Sequence, residues 1–274
     1  MRPTRLRAAL TGVALVPALA WTLFPIFWIT TASFKTELSL YARPPQWLFT
    51  PILENYTRVL TNIPFGQYLT NSLVIAIGTT IGSLVLGTLA GYGFARYRFR
   101  GSAGVRFLVL VTRMAPRMVL VVPYYLMMQK LGLLDTYTGL IIAYVSFALP
   151  FSIWLLIGFF VDVPLEVEEA ALIDGCSPLG VLLRIVIPIA APGLVVAAIF
   201  AFLVSWNEFL FALILSGVDA RTLPVVIAGF STDVGPLYGE MSAAAVMVML
   251  PNILMTLVLQ RYLVRGLTLG AVKG

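Results

Sequence analysis

The chain has 274 residues, of which 60% are hydrophobic and 11% charged, with a mean hydropathy of +0.97 and a formal net charge of +6. That is more apolar sequence than a soluble core of this size carries, so a soluble enzyme is excluded and a polytopic membrane protein is expected. A single cysteine and no histidine exclude an internal disulfide, His-based triads and the commonest metal ligand.

Six runs are long and apolar enough to cross a hydrocarbon core of about 30 Å: 8–32, 70–95, 107–128, 138–161, 188–215 and 242–264. Barrel-type alternation is absent, so an all-α membrane fold is expected, each helix satisfying its own backbone hydrogen bonds in lipid. The first run follows three arginines and contains Ala18-Leu19-Ala20, which mimics a signal-peptide cleavage site. It continues through Trp21, Phe24, Phe27 and Trp28, too far for a signal core of about 7–15 residues, so an uncleaved span kinked at Pro17 and Pro25 is expected.

Gly78, Gly82, Gly87, Gly91 and Gly93 in the second run suit close helix packing better than a phosphate site. In the third, Arg113 and Arg117 flank Pro116 one helical turn apart. Charges inside spans point by default into a bundle or cavity, which makes them candidates for a polar path. The competing reading is that both snorkel to the headgroups or hold a neighbouring subunit. Tyr124 and Tyr125, after Pro123, can line such a path or anchor at an interface.

Between the fourth and fifth runs lies a short acidic helix-turn-helix. Asp162 is expected to cap a helix over 164–173 with Pro164 in its first turn, Gly175 to end it in the left-handed conformation, and Ser177-Pro178 to start the next helix. At about 1.5 Å per residue the first helix spans roughly 15 Å, half a bilayer core, so it lies at the surface. Leu165, Glu169 and Leu172 form a ridge on it, and Ala170 and Ala171 leave the surface beside the ridge smooth for a partner. Asp162, Glu166, Glu168, Glu169 and Asp174 face only Arg184 in this segment, an acidic excess that favours a basic surface opposite. The fifth run carries Trp206, Asn207 and Glu208, which suit sugar stacking and hydroxyl recognition or, for Trp206, interfacial anchoring. Gly266, Gly270 and Gly274 are expected to break the last helix after Arg265 and leave a tail.

Basic residues set the orientation. Arg2, Arg5, Arg7, Arg96, Arg98, Arg100, Arg106, Arg184, Arg261, Arg265 and Lys273 fall on one side, against Lys35, Arg43, Arg58, Lys130 and Arg221 on the other. Both termini and the acidic elbow are thus expected in the cytoplasm, with 33–68 and 216–240 outside. The asymmetry accounts for the net charge without nucleic-acid binding.

Glu169, Ala170, Ala171, Asp174, Gly175, Ile185 and Pro188 stand in the order and spacing of the EAA loop of binding-protein-dependent ABC importers. Arg113-Met114-Ala115-Pro116, Leu131-Gly132-Leu133, Trp206-Asn207-Glu208-Phe209 and the stretch from Arg265 to Gly274 extend the likeness over most of the chain after Asn71. The sequence therefore resembles the permease subunit of carbohydrate ABC importers of the maltose type. Cys176 and Ile187 are mild departures, standing where a small residue and Leu are usual. The resemblance implies the type I importer fold, with an N-terminal part over 1–68, a transmembrane core over 69–264 holding the coupling loop at 162–188, and a cytoplasmic tail over 265–274 reaching the ATPase.

The resemblance further implies a second homologous permease subunit, a dimer of ATP-binding subunits that uses ATP and Mg, and an extracytoplasmic sugar-binding protein. No cofactor is expected on this chain, which lacks the GxxxxGK[ST] phosphate loop and is expected not to be an enzyme. Glu169, Ala170, Ala171, Asp174, Gly175, Leu165, Leu172 and Pro188 are the expected coupling residues. Arg113, Arg117, Tyr124, Trp206, Asn207 and Glu208 are the pathway candidates. An ion-driven secondary carrier is the alternative, for which Glu208 is the only suggestive acid.

Overall fold

The computed structural model describes residues 5–232 and 235–269, with side chains placed for 12, 13, 15–230 and 237–257. In chain order it comprises α1 (Arg5–Ser33), α2 (Glu37–Leu40), α3 (Glu54–Asn62), α4 (Phe65–Arg96), α5 (Ser102–Thr112), α6 (Arg117–Lys130), α7 (Tyr137–Val161), α8 (Leu165–Ile173) and α9 (Pro178–Val181). A π-helical turn (Leu182–Val186) leads into α10 (Ile187–Ile189), α11 (Ala191–Trp206), α12 (Leu210–Leu215) and α13 (Leu223–Ala228). Two-residue antiparallel strands β1 (Ser231–Thr232) and β2 (Gly235–Pro236) precede α14 (Tyr238–Leu269). The chain divides into two compact units, residues 1–66 with 226–251 and residues 67–225 with 252–274.

Among the described residues, four helical stretches are long and apolar enough to cross a bilayer singly: Leu15–Ser33, Phe65–Arg96, Tyr137–Val161 and Tyr238–Leu257. The expected fifth crossing is a bent pair, Pro178–Ile189 and Ala191–Trp206, at 83°. Pro188 therefore belongs to the arm before the bend and does not open the span, a correction to the expected boundary. The expected third crossing is also segmented. Pro116 lacks an N–H and sits in extended backbone (φ −61°, ψ 124°), so α5 ends at Thr112 and α6 begins anew at Arg117. α1 runs unbroken through Ala18 and both prolines to Ser33. α14 continues through Gly266 to Leu269, so the expected break after Arg265 does not occur there. Residues 270–274 of the expected tail lie outside the described residues.

In the first unit, outward apolar side chains such as Trp21 (85% exposed) leave α1 facing an apolar surrounding. The segment after it is tied back by polar contacts: Asn55 Nδ2 donates to the carbonyls of Ser33 and Lys35, both at 2.9 Å. Lys35 is buried, donates to the Gln46 carbonyl at 2.7 Å and stands over the rings of Trp28 and Phe49.

In the second unit α7 is apolar on all sides because it has neighbours on several. α4 lies against it along small residues: a Cβ on Gly78, Gly82, Gly87 or Gly91 meets Ile141, Val145, Ser152 or Leu156 at 2.6–3.2 Å. The packing reading of those glycines holds. Gly93 differs, with open space where its Cβ would be. Ile75, Met128, Leu140, Tyr144, Phe211 and Leu215 form one core cluster, and Leu156, Phe160, Ala171, Val181 and Val186 anchor another beneath the elbow.

Candidate functional site

The elbow is built by four local signals. α7 stops at Asp162, whose N–H closes onto Gly158 O at 3.3 Å. Asp162 is thus the C-terminal cap of α7 and not the N-cap of the next helix; extended Pro164 fills that position before α8. Gly175 has φ +86° as expected, with its N–H bonded to Leu172 O at 3.1 Å and the Cys176 N–H to Ala171 O at 3.0 Å. This is a Schellman closure, which requires a left-handed residue. Ser177 caps α9 as expected, its Oγ accepting from Gly180 N at 3.2 Å, with Pro178 in the first turn.

α8 separates two faces. Leu165, Glu169, Ala170, Leu172 and Asp174 are exposed, and Ile173 is 86% exposed. Ala171 is buried on the opposite face, as is Glu168 at 4% exposure. Glu168 Oε1 accepts from Arg96 Nε at 2.7 Å and pairs with Arg96 Nη2 at 2.6 Å, and Oε2 accepts from Tyr92 OH at 2.7 Å. Arg96 also donates to the Val163 carbonyl at 2.8 Å. The acidic segment therefore does not face Arg184 alone: one acid is consumed in pinning α8 to the end of α4. The charge pattern alone does not single out Glu168 from its neighbours, because adjacent helical residues point about 100° apart and a count of acids does not separate the faces.

A second constellation surrounds the gap between α5 and α6. Arg113 and Arg117 line a cavity of about 150 Å³ with Thr112, Ser146 and Phe200. Each guanidinium lies over a ring of α7, Arg113 at 4.8 Å from the Phe151 centroid and Arg117 at 5.3 Å from that of Phe147. Tyr124 is half-buried beside Phe147 and Phe211 and donates from its hydroxyl to Ser146 Oγ at 2.6 Å.

The three residues at the break between α11 and α12 do not share one surface. Trp206 is 1% exposed and stacked on Phe202 at 5.4 Å. Asn207 is exposed, donates to Leu203 O at 2.8 Å and accepts from Asn252 Nδ2 at 3.3 Å. Glu208 is buried, and its Oε2 accepts from the N–H groups of Phe211 and Ala212 at 3.0 and 3.1 Å. It caps α12, satisfying donors that a helix start leaves open.

At the opposite end of the second unit, Asp135 is held at φ +53° between α6 and α7. Its carboxylate accepts from four consecutive N–H groups, Gly217, Val218, Asp219 and Ala220, at 2.7–3.1 Å. Burial pushes this carboxyl up, but the four donors outweigh it and hold Asp135 below the usual carboxylate range.

Residues 83–269 match the family described as the binding-protein-dependent transport system inner membrane component. The chain belongs to this family. The permease is 38% identical over 262 residues to the trehalose/maltose transport system permease protein MalG of Thermococcus litoralis, covering 92% of each chain. It is 37% identical over 271 residues to the trehalose transport system permease protein SugB of Mycobacterium tuberculosis, covering 98% of each. Its fold matches that of a bacterial ABC transporter involved in the import of the acidic polysaccharide alginate, with a TM-score of 0.80 at 23% identity over 96% of this chain and 98% of that one. The type I importer permease fold follows, and with it an all-α, multi-pass membrane protein.

Proposed function

We propose that this permease forms half of the translocation path for a sugar or sugar derivative and that α8 couples it to an ATP-binding subunit. The sugar assignment is supported by relatives named for trehalose, maltose and diacetylchitobiose transport. The single observation behind the coupling role is the division of α8 into a pinned face and a bare one. Arg96, Tyr92 and the core beneath Ala171 fix the helix to the spans, while Leu165, Glu169 and Leu172 point outward with apolar area to bury. A rigid element held from one side transmits a push applied to the other. Gly175 sets the angle at which α8 meets the arm from Pro178 to Ile189.

The remaining assembly is a second homologous permease subunit, two ATP-binding subunits that use ATP and Mg, and an extracytoplasmic sugar-binding protein. The excess of Lys and Arg on one side supports a cytoplasmic location for both termini and α8. An ion-driven carrier is not favoured, because Glu208 is already engaged as the cap of α12. Reconstitution with the two partner subunits tests the reading: sugar uptake driven by ATP and dependent on the binding protein is expected. Uptake by this chain alone, driven by an ion gradient, overturns it.

A further inference from the structure

The cavity between α5 and α6 holds two cations that the fold does not neutralise. Among the described residues no carboxylate pairs with Arg113 or Arg117, and no side chain or carbonyl accepts a hydrogen bond from either guanidinium. Ten N–H donors in total are thus left for a ligand, at about five per guanidinium. Phe151 and Phe147 support the guanidinium planes from one side and fix where the forks can reach.

Both arginines border the cavity at the break between α5 and α6 and are exposed in the single chain. An arginine within the spanning part of a chain is costly unless it faces the bundle interior or a water-filled cavity. Two of them lining one cavity repel each other as well. Such an arrangement persists where a water-filled cavity receives an anion.

From this we infer that Arg113 and Arg117 form a subsite for an anionic group on the transported sugar, a carboxylate, sulfonate or phosphate. This rests on the proposed role as a sugar permease and narrows the substrate to acidic sugars or sugar derivatives. The cavity volume of about 150 Å³ equals that of roughly five waters at about 30 Å³ each. It accommodates one charged group and the carbons next to it.

The test uses the assembled transporter in phosphatidylcholine nanodiscs and the arginine reagent phenylglyoxal, with modification at Arg113 and Arg117 read by mass spectrometry. Glucuronate in excess is expected to slow modification of both about tenfold, the scale of one charge-assisted contact, while glucose does not. Arg117→Gln is expected to abolish glucuronate protection of Arg113, and Arg117→Lys to retain part of it, which separates loss of charge from misfolding. Equal protection by glucose leaves the pathway reading standing and overturns the anionic specificity. Protection by neither sugar overturns both. Protection that appears only when phosphatidylglycerol is added assigns the site to lipid and overturns the inference. So does an unreactive pair released by removing a carboxylate of the second permease.

Discussion

Adjacent carboxylates on α8 have opposite surroundings, Glu168 buried and paired and Glu169 exposed, and substitutions should separate their effects. Glu168→Ala strands Arg96, which is only 9% exposed, and breaking such a buried pair costs about 3–5 kcal/mol. Hydrogen exchange across 165–175 is expected to accelerate, and coupled uptake to fall with it. Glu169→Ala removes an exposed group and is expected to change stability by no more than about 0.5 kcal/mol. Its effect should appear instead as weaker co-purification of the ATP-binding subunit. Gly175→Val forces a β-branched residue to φ +86°, at a cost of about 1–3 kcal/mol. Insertion into the membrane is expected to survive while assembly with the ATPase, or the coupling of hydrolysis to uptake, fails; normal transport by this variant contradicts the role of the turn.

Two contacts between elements carry their own tests. The α4–α7 seam depends on glycines, so Gly91→Leu drives a side chain into Leu156 and should lower stability by about 1–3 kcal/mol, read as thermal aggregation in detergent. Gly93→Ala meets open space and removes backbone freedom, so it is expected to be neutral or to stabilise by up to about 1 kcal/mol. The Asp135 clamp is pH-dependent in one direction. A carboxyl depressed on folding contributes fully above its ordinary value near 4 and loses that contribution as pH falls through the depressed one. Protection factors at 217–220 should therefore hold through the ordinary carboxyl range and drop only below it. Asp135→Asn leaves donors facing an amide and should reduce protection by about 1–3 kcal/mol already at neutral pH.

At the scale of the molecule, much was legible because bilayer thickness dictates the length of an apolar run and Gly175, Ser177 and Pro178 are chemical punctuation. The breaks were harder to read. The gap at 113–116 and the 83° bend between Ile189 and Ala191 fall inside runs that qualify as single spans by length and mean hydropathy, neither of which registers a change of direction. Trp206 and Glu208 attract attention as polar or aromatic groups in a span, but their burial is decided by Phe202 and by the open N–H groups of α12. Which of two neighbouring glutamates is pinned depends on where the end of α4 passes.

The docking of α8 on an ATP-binding partner is tested most directly by thiol labelling of Glu169→Cys in a Cys176→Ser background, which removes the only native cysteine. With a membrane-impermeant reagent, residue 169 is expected to be silent in intact cells, reactive in inverted vesicles stripped of the ATP-binding subunit, and shielded when that subunit is restored. Labelling from outside the cell, or reactivity indifferent to the ATP-binding subunit, contradicts the coupling role.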